Sequence, residues 1–554
     1  MAPAYQYMPL LTGGEHDGSI RVLELSPGTF DNRVIYVKLR STNIEAMKNK
    51  FEAVSYTWGD PTPCKTIIFE ESNTQLQVSR NCYSVLRHLR NTAKTRILWI
   101  DAICINQADI PERNSQVRIM GSIYASANQT TIFLGYSTPG SRFLFRHLAR
   151  TDRLLSSDEE QEPQFLPKIT KRITRELEHL LKRAWFSRVW VIQELMRSLR
   201  VKFMCGRHTA TIEALNSSLR GHKRNLRVFS KFPAPLELDH ENFKEMLRSC
   251  STPARKMYML AAGAGLCKST DPRDRILALT PLAAELSPEL GGLINYNLAT
   301  EEIFHQFALS FLFDGGLALL WMIRHPHSRD MPSWVPDWTE NRGKSHRTIQ
   351  LPDFFKAYES DDSYDSDYTD DSNESDESNY TYSLVVSGVR YGRIQELGPV
   401  IQINQENIRT RIKAVRALVA DLESMTGSSN PPSWPHSIVE AFRGLTREDV
   451  QDLLRSGSST ILREANEELS FNIAIACHES RVFITSEKEL GLSPEGIQPG
   501  DLVCLVKGAI EPCVLRERDH DRWTVRGYRR SGFDWPWRYI NELISGPQEQ
   551  FSIC

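Results

Sequence analysis

With 554 residues, 40% of them hydrophobic and 25% charged, the chain has an ordinary globular composition and is too long for one core, so two or three domains are expected. A formal charge of -2 excludes the broad basic field of a nucleic-acid or anionic-membrane binder. Its ten cysteines form no CxxC pair and no close Cys/His cluster, so reduced thiols in a cytoplasmic protein are expected and no metal site is indicated.

The opening residues, MAPAYQYMPL, lack the basic and apolar regions of a secretory signal. Ile20 to Leu25 alternates as a strand, and Phe51 to Trp58 reads as another that ends at the turn Gly59-Asp60-Pro61. Thr66 to Phe69 and Gln75 to Val78 flank Ser72-Asn73 as a hairpin. A helix follows, capped by Ser79 or Asn81, with Val85, Leu86 and Leu89 on one face. The apolar run ILWID (97 to 101) reads as a buried parallel strand that delivers Asp101, and then Asn106 and Gln107, to the carboxyl edge of a sheet, where α/β folds bind ligands. Asp109 and Glu112 have the spacing of a capping box ahead of a helix bearing Val117, Met120, Tyr124 and Ala127. Thr130 to Leu134 is the next strand, and the strand–helix alternation predicts parallel pairing with right-handed crossovers.

Residues 151 to 165 are polar and acidic, as in an exposed insertion, and Ala184 to Met196 reads as one partly buried helix. The pattern from 207 to 345 is mainly helical. It includes the apolar tract Phe307 to Ile323, where Asp314, Gly315 and Gly316 argue against a membrane span. Ten acidic residues and no Lys or Arg lie between Glu359 and Glu377, in a tract (357 to 382) with Ser or Thr at every third position. Such a segment cannot bury enough apolar surface to fold alone, and reads as a solvated linker or a phosphorylation-controlled docking segment. Beyond it, a helix over Gln405 to Ser424 and strands at 382 to 389, 481 to 485, 502 to 506, 513 to 515 and 523 to 528 predict a small β-rich domain. The predicted organisation is thus an α/β domain (1–206), a helical region (207–345), an acidic linker (346–382) and a β-rich α+β domain (383–554).

Three segments, FEAVSYTWGDP (51 to 61), LWIDAICINQADIPERNSQVRIMGSIYASA (98 to 127) and RAWFSRVWVIQEL (183 to 195), closely resemble the fungal heterokaryon-incompatibility (HET) domain in order and spacing. DPRDRILAL (271 to 279), PSWVPDW (332 to 338) and GDLVCLVKGAIEPCVLR (500 to 516) resemble downstream segments of HET-domain proteins. The acidic tract and the ending FDWPWRYINEL (533 to 543) depart from that pattern. The resemblance implies a role in non-self recognition, with cell death triggered by incompatible partners. It also implies a remote likeness to TIR domains, which have a flavodoxin-like parallel sheet flanked by helices, self-assemble, and in some lineages hydrolyse NAD. Ser55, Tyr56, Gly59 and Asp60 resemble the end of the TIR first strand, Trp99 to Gln107 its second strand and loop, and Trp190, Glu194 and Leu195 its catalytic helix.

Cleavage of the nicotinamide–ribose bond would require a carboxylate beside an oxocarbenium-like centre, and Glu194 is the candidate, either in that role or as a surface residue on an amphipathic helix. A continuous helix would stack Phe186, Trp190 and Glu194 in one column. Asp101 either binds ribose or caps the following turn. Asn106 and Gln107 either meet a carboxamide or phosphate or stabilise their own loop. Trp58 and Gly59 form either an aromatic wall against a base or part of the core, and Arg188 either contacts phosphate or pairs with Glu194. No Walker or GxGxxG loop occurs, so no bound cofactor is expected, and NAD enters only as a possible substrate. The expected partners are further copies of the chain and a protein of an incompatibility system, with no nucleic acid. A non-catalytic adaptor is the alternative.

Overall fold

The structure is a computed structural model that describes residues 3–10, 18–155 and 167–222, parts of 245–339, residues 384–401 and parts of 480–553. The chain divides into two units, Met1–Ile303 and Phe304–Cys554. The acidic tract and the helix expected over 405–424 lie outside the described residues, as does most of the expected insertion.

In the first unit, β1 (Ser19–Leu25), β2 (Tyr36–Asn43), β3 (Glu52–Tyr56), β4 (Lys65–Phe69), β5 (Thr74–Val78), β6 (Arg96–Trp99), β7 (Gln129–Phe133), β8 (Val201–Cys205) and β9 (His208–Thr211) form one sheet. Their order is β5-β4-β2-β1-β6-β3-β7-β8-β9. The expected parallel sheet is therefore a mixed one. The pairs β3–β6, β3–β7, β7–β8 and β2–β4 are parallel, whereas β1–β2, β1–β6, β4–β5 and β8–β9 are antiparallel. The cause lies in the connections, because direct turns join β4 to β5 and β8 to β9, and only the segments between β3 and β8 carry crossover helices. Those helices are α1 (Arg80–Leu89), α2 (Asp101–Cys104), α3 (Ile110–Ser126), α4 (Pro139–Leu155), α5 (Pro167–Leu181) and α6 (Val191–Arg197).

Local chemistry explains several boundaries. The Ser79 side chain accepts from Cys82 N at the start of α1, whose Val85, Leu86 and Leu89 are buried as expected. Asp109 caps α3 by accepting from Glu112 N at 3.0 Å. The reciprocal half of the capping box is missing, because the Glu112 carboxylate turns to Arg21 instead. Ala184 to Met196 is not one helix: a 3-10 turn, Ala184–Ser187, gives way to extended backbone at Arg188, and α6 begins after Trp190. An isolated bridge between Arg188 and Lys268 causes the break, with Val189 N donating to Lys268 O at 3.0 Å. The column Phe186–Trp190–Glu194 is thereby lost.

Along the parallel strands the chain moves from β3 to β6 on one side, then crosses to β7 and β8 on the other. The direction reverses between β3 and β7, and the crevice at the carboxyl ends of such strands is where open α/β sheets hold ligands. Two large cores pack on the sheet, one including Trp99, Tyr56 and Tyr124, the other Trp185, Phe186 and Phe203.

Between residues 207 and 345, the named helices among the described residues are Ile212–His222, Asp274–Leu277, Thr280–Ala283 and Thr300–Gly315. No described helix is long and apolar enough to cross a membrane. The second unit is β-rich. Its strands β10 (Leu384–Ile401), β11 (Ser480–Thr485), β12 (Leu490–Pro494), β13 (Leu502–Val506), β14 (Cys513–Asp519), β15 (Arg522–Tyr528), β16 (Arg530–Ser531) and β17 (Glu549–Ile553) include a ladder that closes through β10, β13, β14, β15 and β17. Closure removes exposed edges from those five strands.

Candidate functional site

Strand β3 ends in Ser55 and Tyr56, whose side chains point to opposite faces, as strand geometry requires. Tyr56 is buried on the face covered by α1, near the Cys82 thiol, and burial pushes both groups upward, Cys82 to about 12. Ser55, 1% exposed, meets α6 on the other face, where its hydroxyl donates to Glu194 Oε2 and accepts from Trp185 Nε1 at 2.6 Å.

Glu194 is 3% exposed, which removes the reading of it as a surface residue. Its Oε1 lies 3.6 Å from Arg188 Nη1, a contact longer than a close hydrogen bond, and the same nitrogen donates to Tyr56 O at 2.6 Å. Burial raises the Glu194 carboxyl above its ordinary range, and Arg188, Ser55 and Trp185 reverse this only in part, while Asp101 adds to it. Burial likewise raises Asp101, opposed by Arg188, by the Trp58 indole donating at 2.8 Å and by Ala102 N–H. Tyr124 on α3 feels both acids, since its hydroxyl is pushed well above its usual range by burial first and then by the charges of Glu194 and Asp101.

The fold thus groups Ser55, Glu194, Arg188, Asp101 and Trp58. Asp101 opens α2, with Ile100 between it and β6. Gln107 joins the group through the backbone, donating to Asp101 O at 3.0 Å. The other predicted residues go elsewhere. Asn106 shapes its own loop, with its N–H on Glu112 Oε1 at 2.6 Å. Asp60 lies on an exposed turn and accepts from Thr62. Gly59, at φ +68°, packs against Asn81, whose Nδ2 would lie 2.5 Å from an added Cβ, so its glycine serves the turn and that close approach. Trp190 donates to Asp274 Oδ2 at 3.1 Å.

Trp185, Tyr124 and Asp274 were not among the predicted site residues. A fully buried Trp needs a partner for its N–H, but Trp185 stands at the start of the expected helix, where a continuous helix would place it on the face opposite Glu194, so only the break at Arg188 lets it meet Ser55. Among the described residues no group of three or more His, Cys, Asp or Glu could hold a metal. Chemically, the site offers a buried carboxylate whose charge its neighbours only partly offset. Such a group gains by meeting a developing cation, and its serine and indole donors hold it in place beforehand.

Residues 51–194 match the family model described as "Heterokaryon incompatibility protein (HET)". The chain is also similar to "Heterokaryon incompatibility protein 6, OR allele" of Neurospora crassa, at 27% identity over 405 residues. That alignment covers 59% of this chain and 59% of the relative, so the chain spans less than two thirds of the relative's length. No solved structure matches.

Proposed function

Because residues 51–194 form a HET domain, we propose that the chain acts in fungal non-self recognition, signalling cell death through a TIR-like N-terminal domain that self-assembles and hydrolyses NAD. The observation that carries the reading is Glu194, buried against Ser55 at the carboxyl end of β3, beside the point where the order of the parallel strands reverses. The flavodoxin-like assignment is supported by the parallel strands, which taken in chain order stand as second, first, third and fourth across the sheet.

In the proposed reaction the bond from ribose C1′ to the pyridinium nitrogen breaks, and its electron pair leaves with neutral nicotinamide. Glu194 stabilises the cationic C1′, water adds there, and its proton passes to solvent, giving ADP-ribose. Trp185 and Ser55 hold the carboxylate, Arg188 limits its basicity, and Asp101 with Trp58 orients the neighbouring edge.

The test is nicotinamide release from concentrated full-length protein incubated with NAD. Release by wild type and its loss in Glu194→Gln is the expected result; no release from assembled wild type, or equal release from the variant, refutes the enzyme. The adaptor reading is favoured by one observation: both Glu194 oxygens already meet groups of the same chain, Ser55 and Arg188. Toxicity on overexpression that survives Glu194→Gln but disappears on deletion of 357–382 would select the adaptor.

A further inference from the structure

Lys268, Asp274 and Tyr296 lie beyond the matched 51–194 core, yet together they grip the piece of chain that carries Arg188 and Glu194. Lys268 bridges Arg188, and Asp274 accepts from Trp190 Nε1 at 3.1 Å and from Tyr296 OH at 2.6 Å. Trp190 is the residue before α6, and its carbonyl accepts from Glu194 N at 3.1 Å. Tyr296 is itself fixed, with its N–H on Asn114 Oδ1 at 2.9 Å and Arg113 3.9 Å above its ring.

We infer that Asp274 is a positioning residue: by joining the indole of Trp190 to the Tyr296 hydroxyl, it sets the first turn of α6 and with it the placement of Glu194 against Ser55. The inference rests on the reading of Glu194 as the working carboxylate, but the linkage is structural and can be measured without turnover. A carboxylate is suited to the task because its two oxygens accept from two donors at once, whereas an amide presents one oxygen and an NH2 group that opposes the other donor.

Titration offers a handle. Burial pushes Asp274 up to about 6; the Tyr296 and Trp190 hydrogen bonds lower it, Asp271 raises it and Arg113 lowers it. The charged and titratable groups facing it are Asp271 and Arg273 from its own segment, Arg113 from α3, and Tyr296. Arg273 is held by Asp271 at 2.7 Å.

The experiment uses full-length protein containing 5-fluorotryptophan, with the Trp185 and Trp190 signals assigned by single replacement. In wild type both resonances should titrate with a midpoint near the Asp274 value. In Asp274→Asn both should shift and lose that titration, and in Tyr296→Phe, which keeps the ring under Arg113, they should shift in the same direction by less. If wild type releases nicotinamide, Asp274→Asn should lower kcat about tenfold with KM within about twofold. A Trp190 signal that moves while Trp185 stays unchanged overturns the positioning role, as does a wild-type titration preserved in Asp274→Asn. Absence of nicotinamide release from wild type overturns the enzyme reading alone, and the two resonances still decide the linkage.

Discussion

Two arginine–glutamate pairs lie in the same unit, one buried on both sides and one with its arginine partly exposed, and they are built differently. Arg21 and Glu112 meet through two hydrogen bonds of 2.6 and 2.9 Å. Arg21 also donates to Cys104 O at 3.1 Å and Met8 O at 2.6 Å, while Glu112 accepts from Asn106 N–H, so of the Arg21 nitrogens only Nε lacks a partner. Arg188 and Glu194 stand 3.6 Å apart, the arginine is partly committed to Tyr56 O, and the glutamate remains above its ordinary range. The first pair matches its charges closely and ties the N-terminal residues, the α2 loop and α3 together. The second compensates the glutamate's charge only in part, at the carboxyl ends of the parallel strands, as the proposed reaction requires of it.

Breaking the matched pair should have the largest effect on stability. Arg21→Met leaves Glu112 buried without its cation and should cost about 3–5 kcal/mol in denaturant unfolding. Adding Glu112→Leu should recover most of that loss, since two apolar groups carry no desolvation penalty. A single variant within about 1 kcal/mol of wild type would erase the proposed distinction. At the second pair, Glu194→Gln should change stability by no more than about 1 kcal/mol, because the neutral form already suits the buried position. Nicotinamide release by the same variant should fall about 100-fold or more. A large loss of stability with unchanged chemistry would make Glu194 another structural ion.

The contrast also explains how far the sequence could be read. Period-two patterns and the Ser79 cap located β1, the β4–β5 hairpin and α1, because local sterics and capping decide such elements. Ser55 near the end of β3 and Asp101 just past β6 came together because strand ends deliver side chains to a common edge, and α6 brings Glu194 to that edge. The broken helix was not legible, since Ala184 to Met196 has helical composition and only a bridge to Lys268, more than seventy residues away in the chain, extends the backbone at Arg188. For the same reason Trp190 looked like the aromatic neighbour of Glu194, whereas Trp185 takes that place. The partner of Glu112 was hidden too: Arg21 lies on β1, and only the antiparallel pairing of β1 with β6 brings it to the loop after β6. Tertiary contacts overrode local pattern in each case.

A smaller effect sharpens the second pair. Trp185→Phe removes the indole donor to Ser55 and should cost about 1 kcal/mol. Because that donor helps to lower the Glu194 pKa, its loss should raise the pKa further and move the rising limb of nicotinamide release to higher pH. A limb at the same pH would detach Trp185 from the carboxylate.

The subtlest effect is the pH dependence of stability at Glu194. Its folded pKa is raised, so the folded chain binds this proton more tightly than the unfolded chain does. The resulting contribution is fully present below the unfolded value and is lost as pH rises through the folded one. Wild type should therefore lose stability relative to Glu194→Gln over that window, with the two curves parallel on either side of it. Urea titrations of both proteins at successive pH values measure the difference directly. A difference that instead grew in favour of wild type with rising pH would mean that Arg188 compensates Glu194 as fully as Arg21 compensates Glu112, and the two pairs would then be of one kind.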